Sequence, residues 1–213
     1  MDLSANAKQI YTEITSKPTK LGDLRKLAKD IKRDHELAME LWGTKAFLPR
    51  QLAILIMDKK SLSQELIDTL TKDMDSHPFE ERNQLMDWLM ANQLTKDKST
   101  LALIHSWEDS PASLQRRIYW YYQARLRWTG QIPPDNTPEL LVAIEANIMN
   151  EAPEVQWAMN FTAAWIGVFD KAYRKRCIAL GKETGLYKDE VVAKNCTPSY
   201  LPEFIRIEAA KRE

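Results

Sequence analysis

The chain has 213 residues, 44% of them hydrophobic and 28% charged, with thirty lysines and arginines against thirty acids. That is apolar material enough for one sizeable core, and a formal net charge of zero excludes a generally basic protein, so a polyanionic partner must be met by local asymmetry. Two cysteines without a CxxC pair, three scattered histidines and no membrane-length apolar run point away from a disulfide framework, a metal site and a transmembrane span. The expectation is a cytoplasmic protein with no metal and no other cofactor.

Helices are expected first over 3–15, 21–33, 35–42, 48–59 and 62–74. Leu24, Leu27, Ala28 and Ile31 recur at i, i+3, i+4 and i+7, as do Leu52, Leu55, Ile56 and the stem of Lys59. Further helices follow at 79–92, 97–107, 111–129, 138–149, 153–168, 170–183 and 200–211. Leu85, Trp88 and Leu89 mark one of them, and Leu114, Ile118, Tyr121 and the stem of Arg125 mark another. Nearly all ten prolines fall between these periodic segments, where they cost little. Ser110-Pro111 and Thr137-Pro138 each read as an N-cap followed by Pro at the first helical position. No glycine lies between Gly43 and Gly130, and GxGxxG and P-loop phosphate cradles are absent.

Gln51, Gln84, Gln115 and Gln156 sit near the starts of four helices, spaced by 33, 31 and 41 residues. Units of 30–45 residues with two helices each are the signature of HEAT-like solenoids, whose units bury their apolar faces only by stacking. The expected fold is therefore all-α, a HEAT-like α-α superhelix of antiparallel helix pairs, forming a single domain over 1–213. A compact bundle is the other arrangement open to the same helices.

Charge is unevenly placed. Residues 111–128 hold Arg116, Arg117, Arg125 and Arg127 and no acid. Residues 171–182 hold Lys171, Arg174, Lys175, Arg176 and Lys182 and no acid, whereas 63–82 carry six acids against two bases. Such windows also arise on ordinary solvated faces. Helix 111–129 adds rings to its charge: Arg116, Trp120, Gln123 and Arg127 share one stripe, while Leu114, Ile118 and Tyr121 are expected to reach the core. A guanidinium beside an indole on a surface suits phosphates together with sugar or base faces. In a solenoid, helix 171–182 would extend the same track.

The stretch "LGDLRKLAKDIKRDHELAMELWGTKAFLPRQLAILIMD", with "SPASLQRRIYWYYQ", "NEAPEVQWAMNFTAAWIG" and "NCTPSYLPEFI", resembles the AlkD-type DNA alkylation repair proteins built from HEAT-like repeats. The resemblance implies a cytosolic protein that holds double-stranded DNA, alkylated DNA included, in a concave basic groove; a monomer is expected. Catalytic members hydrolyse the glycosidic bond of cationic purines such as 3-methyladenine and 7-methylguanine without flipping the base into a pocket. Arg116 matches the family's DNA-facing arginine after a Leu-Gln pair, and Phe161 takes the place of a tryptophan of catalytic members, with Trp157 one turn earlier. Together with the stripe on helix 111–129 and the basic helix 171–182, this makes Arg116, Arg117, Trp120, Arg127, Trp157, Phe161, Arg174 and Lys175 the candidate DNA-binding set.

The family's Trp-Trp-Asp-x-x-Asp stretch is missing; the corresponding region reads "DMDSHPFEERNQL". It offers Asp73, Asp75, Glu80 and Glu81 as carboxylates and Phe79 as its ring. Cleaving a cationic nucleoside leaves oxocarbenium character on the sugar, which a nearby carboxylate stabilises. Asp75 and Glu80 are the candidates for that role, although acids in a first helical turn also serve the helix dipole. The alternatives to a glycosylase are a catalytically inactive relative that binds DNA structure and a helical protein-interaction scaffold.

Overall fold

A computed structural model describes residues 3–212. Twelve α-helices and two 3-10 turns carry the fold, and the described residues contain no strand. The all-α class is thus as expected. The chain divides into two compact units, one running to Ser106 and the other beginning at Trp107.

The first unit contains α1 (Ala5–Thr15), α2 (Leu21–Ile31), α3 (His35–Gly43), α4 (Phe47–Ile56), α5 (Gln64–Met74), α6 (Phe79–Asn92) and α7 (Lys98–His105). Its helix starts follow simple capping chemistry. Ser4, Asp34, Ser63 and Asp97 each accept a backbone N–H from the first turn they precede. Helix α4 is apolar on nearly every side and accordingly forms the middle of the unit, packed against α2, α3 and α6. Even Arg50 and Gln51 are buried there. Arg50 lies over the Trp42 ring at 4.7 Å and donates to Trp42 O and Asp73 O.

The second unit contains α8 (Ser113–Trp128), α9 (Thr137–Asn147), α10 (Pro153–Phe169), α11 (Arg174–Thr184) and α12 (Leu201–Ala210). Helix α10 is its centre, with α8 and α12 packed on it and α11 joining α10 and α12. Gly167 makes the α10–α12 approach possible: a Cβ there would meet Ile205 Cδ1 at 2.5 Å. Gly185, at φ 64°, ends α11 in the left-handed conformation that glycine adopts without steric penalty.

Three local expectations need correction. Helix α8 begins at Ser113 rather than at Pro111, because Ser110 is drawn inward, where its Oγ donates to Gln115 Oε1 at 2.6 Å. Thr137 is the first residue of α9, with Asn136 in the capping position. The glutamine register also breaks once: Gln51 and Gln115 are buried and Gln156 half-buried, but Gln84 is exposed and Asn83 faces inward in its place.

Candidate nucleic-acid interface

Helix α8 turns the expected exposed stripe inward. Trp120 is 1% exposed and packs edge-on to Tyr119, while Thr162 Oγ1 donates to its carbonyl at 2.6 Å. Gln123 and Arg127 are buried on the same side. Arg127 donates to Gln123 O and Thr137 Oγ1, both at 2.9 Å, and burial lowers its pKa, with the charge of Asp170 opposing that shift. Trp120 cannot lie on a DNA-facing surface as expected, and Arg127 does not stand on an open outer stripe beside it. Apolar packing against α10 has rotated the helix so that its largest ring fills the core.

The remaining basic candidates are mostly engaged. Arg116 forms a fork with Glu151, Nε–Oε1 3.1 Å and Nη2–Oε2 2.8 Å, and its Nη1 donates to Ser110 O at 2.7 Å. It therefore ties the entry of α8 to that of α10. Arg117 is buried, donates to Glu154 O at 3.1 Å and lies 4.6 Å from the Trp157 ring centre. Arg174 caps the end of α10 by donating to Gly167 O and Val168 O. Lys175 is exposed. Arg176 of the same helix makes a two-point pair with Glu145 of α9, both contacts 2.7 Å. That pair turns this side of α11 toward α9, so α11 does not simply continue the α8 track.

What faces outward on α8 and α10 is a ribbon of rings. Trp157, Phe161, Trp165 and Phe169 recur at every fourth residue of α10. Trp157 and Phe161 stack at 4.9 Å with planes 16° apart. Tyr121 meets them at 5.8 and 5.7 Å, and Trp128 meets Phe161 edge-on at 5.9 Å. Trp165 and Phe204 complete the inner edge. Tyr121, Trp157 and Phe161 are half-buried and Trp128 is 37% exposed, so the ribbon is neither core nor free surface. Arg125 falls one turn after Tyr121 and its side chain, among the described residues, makes no hydrogen bond or ion pair. The structure thus brings Trp157 and Phe161 together and adds Tyr121, Trp128 and Arg125. Sequence periodicity misplaced Tyr121 in the core; the four-residue ring spacing of α10 was the available signal.

Both candidate carboxylates belong to the first unit. Asp75 follows the last residue of α5, with a side chain 61% exposed and 3.9 Å from Arg82 Nη1. Glu80 is exposed in the first turn of α6, where it favours the helix dipole. Phe79, 42% exposed, lies beside them with the Arg82 guanidinium 5.3 Å from its ring. Asp73 is the structural acid of this region: its Oδ2 accepts the Trp42 indole N–H at 2.8 Å. Among the described residues no His, Cys, Asp or Glu cluster suits a metal ion, and no helix is long and apolar enough to cross a membrane.

Each unit thus packs its helices around one buried central helix, α4 in the first and α10 in the second, and the second carries the ring-lined face. The family model described as DNA alkylation repair enzyme matches residues 18–178, and the chain belongs to that family. A solved structure is similar over 99% of this chain and 90% of its own, with a TM-score of 0.62 and 19% identity. It represents a family of proteins related to the HEAT-like repeat DNA glycosylases with affinity for branched DNA structures. At that identity the likeness is one of fold, and the fold is HEAT-like. No curated protein matches the chain.

Proposed function

We propose that this protein binds double-stranded DNA, alkylated DNA included, through the ring-bearing face of α8 and α10. The observation that carries the reading is the half-exposed ribbon of Tyr121, Trp128, Trp157 and Phe161 beside the unengaged Arg125. Base and sugar faces pack on such rings with little regard to sequence, and a guanidinium alongside attracts phosphate. The affinity of the similar protein's family for branched DNA structures supports DNA as the partner here; unpaired bases at a branch point have faces free to stack. The test is binding of a labelled duplex and a labelled three-way junction by a Trp128→Ala, Trp157→Ala double variant. Loss of one stacked base weakens binding of the junction roughly 5- to 150-fold, and the duplex, whose bases stay stacked on one another, is weakened less. Unchanged affinity for both DNAs in a folded double variant removes this face from the interface.

A second reading extends the first to chemistry, and membership of the DNA alkylation repair enzyme family favours it. The ring of Trp157 already holds the cationic Arg117. A purine alkylated at N3 or N7 is also a cation and is attracted to the same kind of surface. In this reading the protein hydrolyses the glycosidic bond, and the carboxylate of Asp75 or Glu80 stabilises positive charge on the sugar. Release of 7-methylguanine from methylated duplex tests it, with Asp75→Asn and Glu80→Gln alongside the wild type. Loss of release with retained DNA affinity in one variant supports the assignment. A wild-type protein that binds but releases nothing, where a control glycosylase works, leaves binding alone.

A further inference from the structure

At the far end of the ribbon the second unit holds a pocket of about 360 Å³, lined by Arg127, Gln131, Thr137, Phe169 and Asp170 among others. Its size falls at the lower end of the ~300–1,000 Å³ range of small-molecule sites. Three of these side chains offer complementary chemistry. Arg127 is 6% exposed, and its acceptors are the Gln123 carbonyl and the Thr137 hydroxyl. Among the described residues no carboxylate reaches it at ion-pair distance. A guanidinium has five N–H groups, so donors remain for an acceptor in the pocket. Asp170 accepts the Ala172 N–H at 3.0 Å through Oδ1, leaving Oδ2 without a protein donor among the described residues. Phe169 contacts Trp165 and Arg212 and is still 46% exposed.

The pairing of Arg127 with Asp170 narrows the ligand. A phosphate or carboxylate suits Arg127 and is repelled by Asp170. A cation suits Asp170 and is repelled by Arg127, and an apolar molecule leaves both polar groups unmatched. A neutral planar heterocycle with acceptors on one edge and donors on the next satisfies both. Guanine has that arrangement: O6 and N7 accept, while N1–H and the 2-amino group donate. Adenine presents its amino donor beside N7, where the guanidinium needs an acceptor.

We infer that this pocket is a guanine-binding site, in which Arg127 donates to O6 and N7, Asp170 accepts from N1–H and the 2-amino group, and Phe169 packs on the ring. The inference does not depend on the ribbon's role, and it applies equally to a free guanine nucleotide and to an unpaired guanine in DNA.

Calorimetric titration of the full chain with GMP, AMP and IMP tests it. GMP should bind at least about tenfold more tightly than AMP, and IMP, which lacks the 2-amino group, should be intermediate. Arg127 is buried and structural, so the decisive variants are at the rim. Asp170→Asn should weaken GMP by about tenfold or more, the scale of a hydrogen bond to a charged group, and Phe169→Ala should weaken GMP and AMP alike. Binding of GMP no tighter than AMP, or GMP affinity untouched by Asp170→Asn, overturns the site. A duplex with one bulged guanine that competes with GMP identifies DNA as the source; failure to compete identifies the free nucleotide. Trp157→Ala alters the ribbon and not the pocket, so the two proposals fail separately.

Discussion

Four arginines on α8 look interchangeable in sequence, yet the structure assigns them different salt behaviour. On duplex DNA each phosphate neutralised contributes ~0.9 to the slope of log K against log salt, so four phosphate contacts would contribute roughly 3.6. Three of the four are engaged elsewhere: Arg116 with Glu151, Arg117 with Glu154 O and Trp157, and Arg127 within the core. Arg125 alone remains, with a share of about 0.9. Between ~50 and ~200 mM salt that share corresponds to roughly a threefold loss of affinity, against more than about a hundredfold for four contacts. Fluorescence anisotropy of a labelled duplex across that range measures both slopes. Arg125→Ala should lower the slope by about 0.9. Arg116→Ala should leave it unchanged while lowering stability by ~1–3 kcal/mol, because Glu151 loses its charged partner, keeping only the Ala152 N–H, and Ser110 O loses the Arg116 donor. A slope that falls with Arg116→Ala, or one indifferent to Arg125→Ala, refutes the reasoning.

Three further outcomes follow from local chemistry. Burial pushes the pKa of Glu208 up, but hydrogen bonds from Lys211, Thr197 and Arg212 outweigh it and hold the group at about 2. Its folded pKa lies below the unfolded one, so its contribution is complete above the ordinary carboxylate range. That contribution, reduced by the solvent around the exposed Lys211 and Arg212, is lost as pH falls from that range toward 2, and Glu208→Gln should flatten the acid limb of the melting curve. Gly167→Ala should destabilise by ~1–3 kcal/mol through contact with Ile205, and Ile205→Val should recover part of the melting temperature. Cys177 is fully buried, which pushes its thiol up to about 12, whereas Cys196 is exposed. A thiol reagent should therefore label one cysteine in the native protein and two after denaturation.

The helices were legible because apolar spacing and proline placement are local signals, and all twelve expected helices are present to within a few residues. The faces of α8 were not legible, for a physical reason. Its residues alternate large rings with arginines, so every side of the helix carries both apolar area and charge, and periodicity cannot choose among them. The choice is made by α10, whose small Ala158, Thr162 and Gly167 positions let neighbouring helices approach closely. Trp120 fills the interior, while Tyr121 turns to meet Trp157 and Phe161. Likewise Arg116 reads as a free cation until Glu151, 35 residues away, is brought to it. Long-range pairs of this kind leave no mark in a local window.

Binding and catalysis ask different things of this molecule. A ring face needs only exposure and a nearby cation, and Tyr121, Trp128, Trp157, Phe161 and Arg125 supply both. Stabilising an oxocarbenium ion needs a carboxylate shielded from water, because screening by solvent weakens the field it exerts. Asp75 has a side chain 61% exposed, with Arg82 3.9 Å away to offset its charge, and Glu80 stands in the open first turn of α6. Hydrolysis through either therefore requires that the nucleic acid itself exclude water from the acid when it docks. If so, Asp75→Asn or Glu80→Gln should alter single-turnover excision far more than affinity. If the acids are merely surface charges, each substitution should leave excision unchanged and raise DNA affinity slightly by removing a repulsive charge, most visibly at low salt.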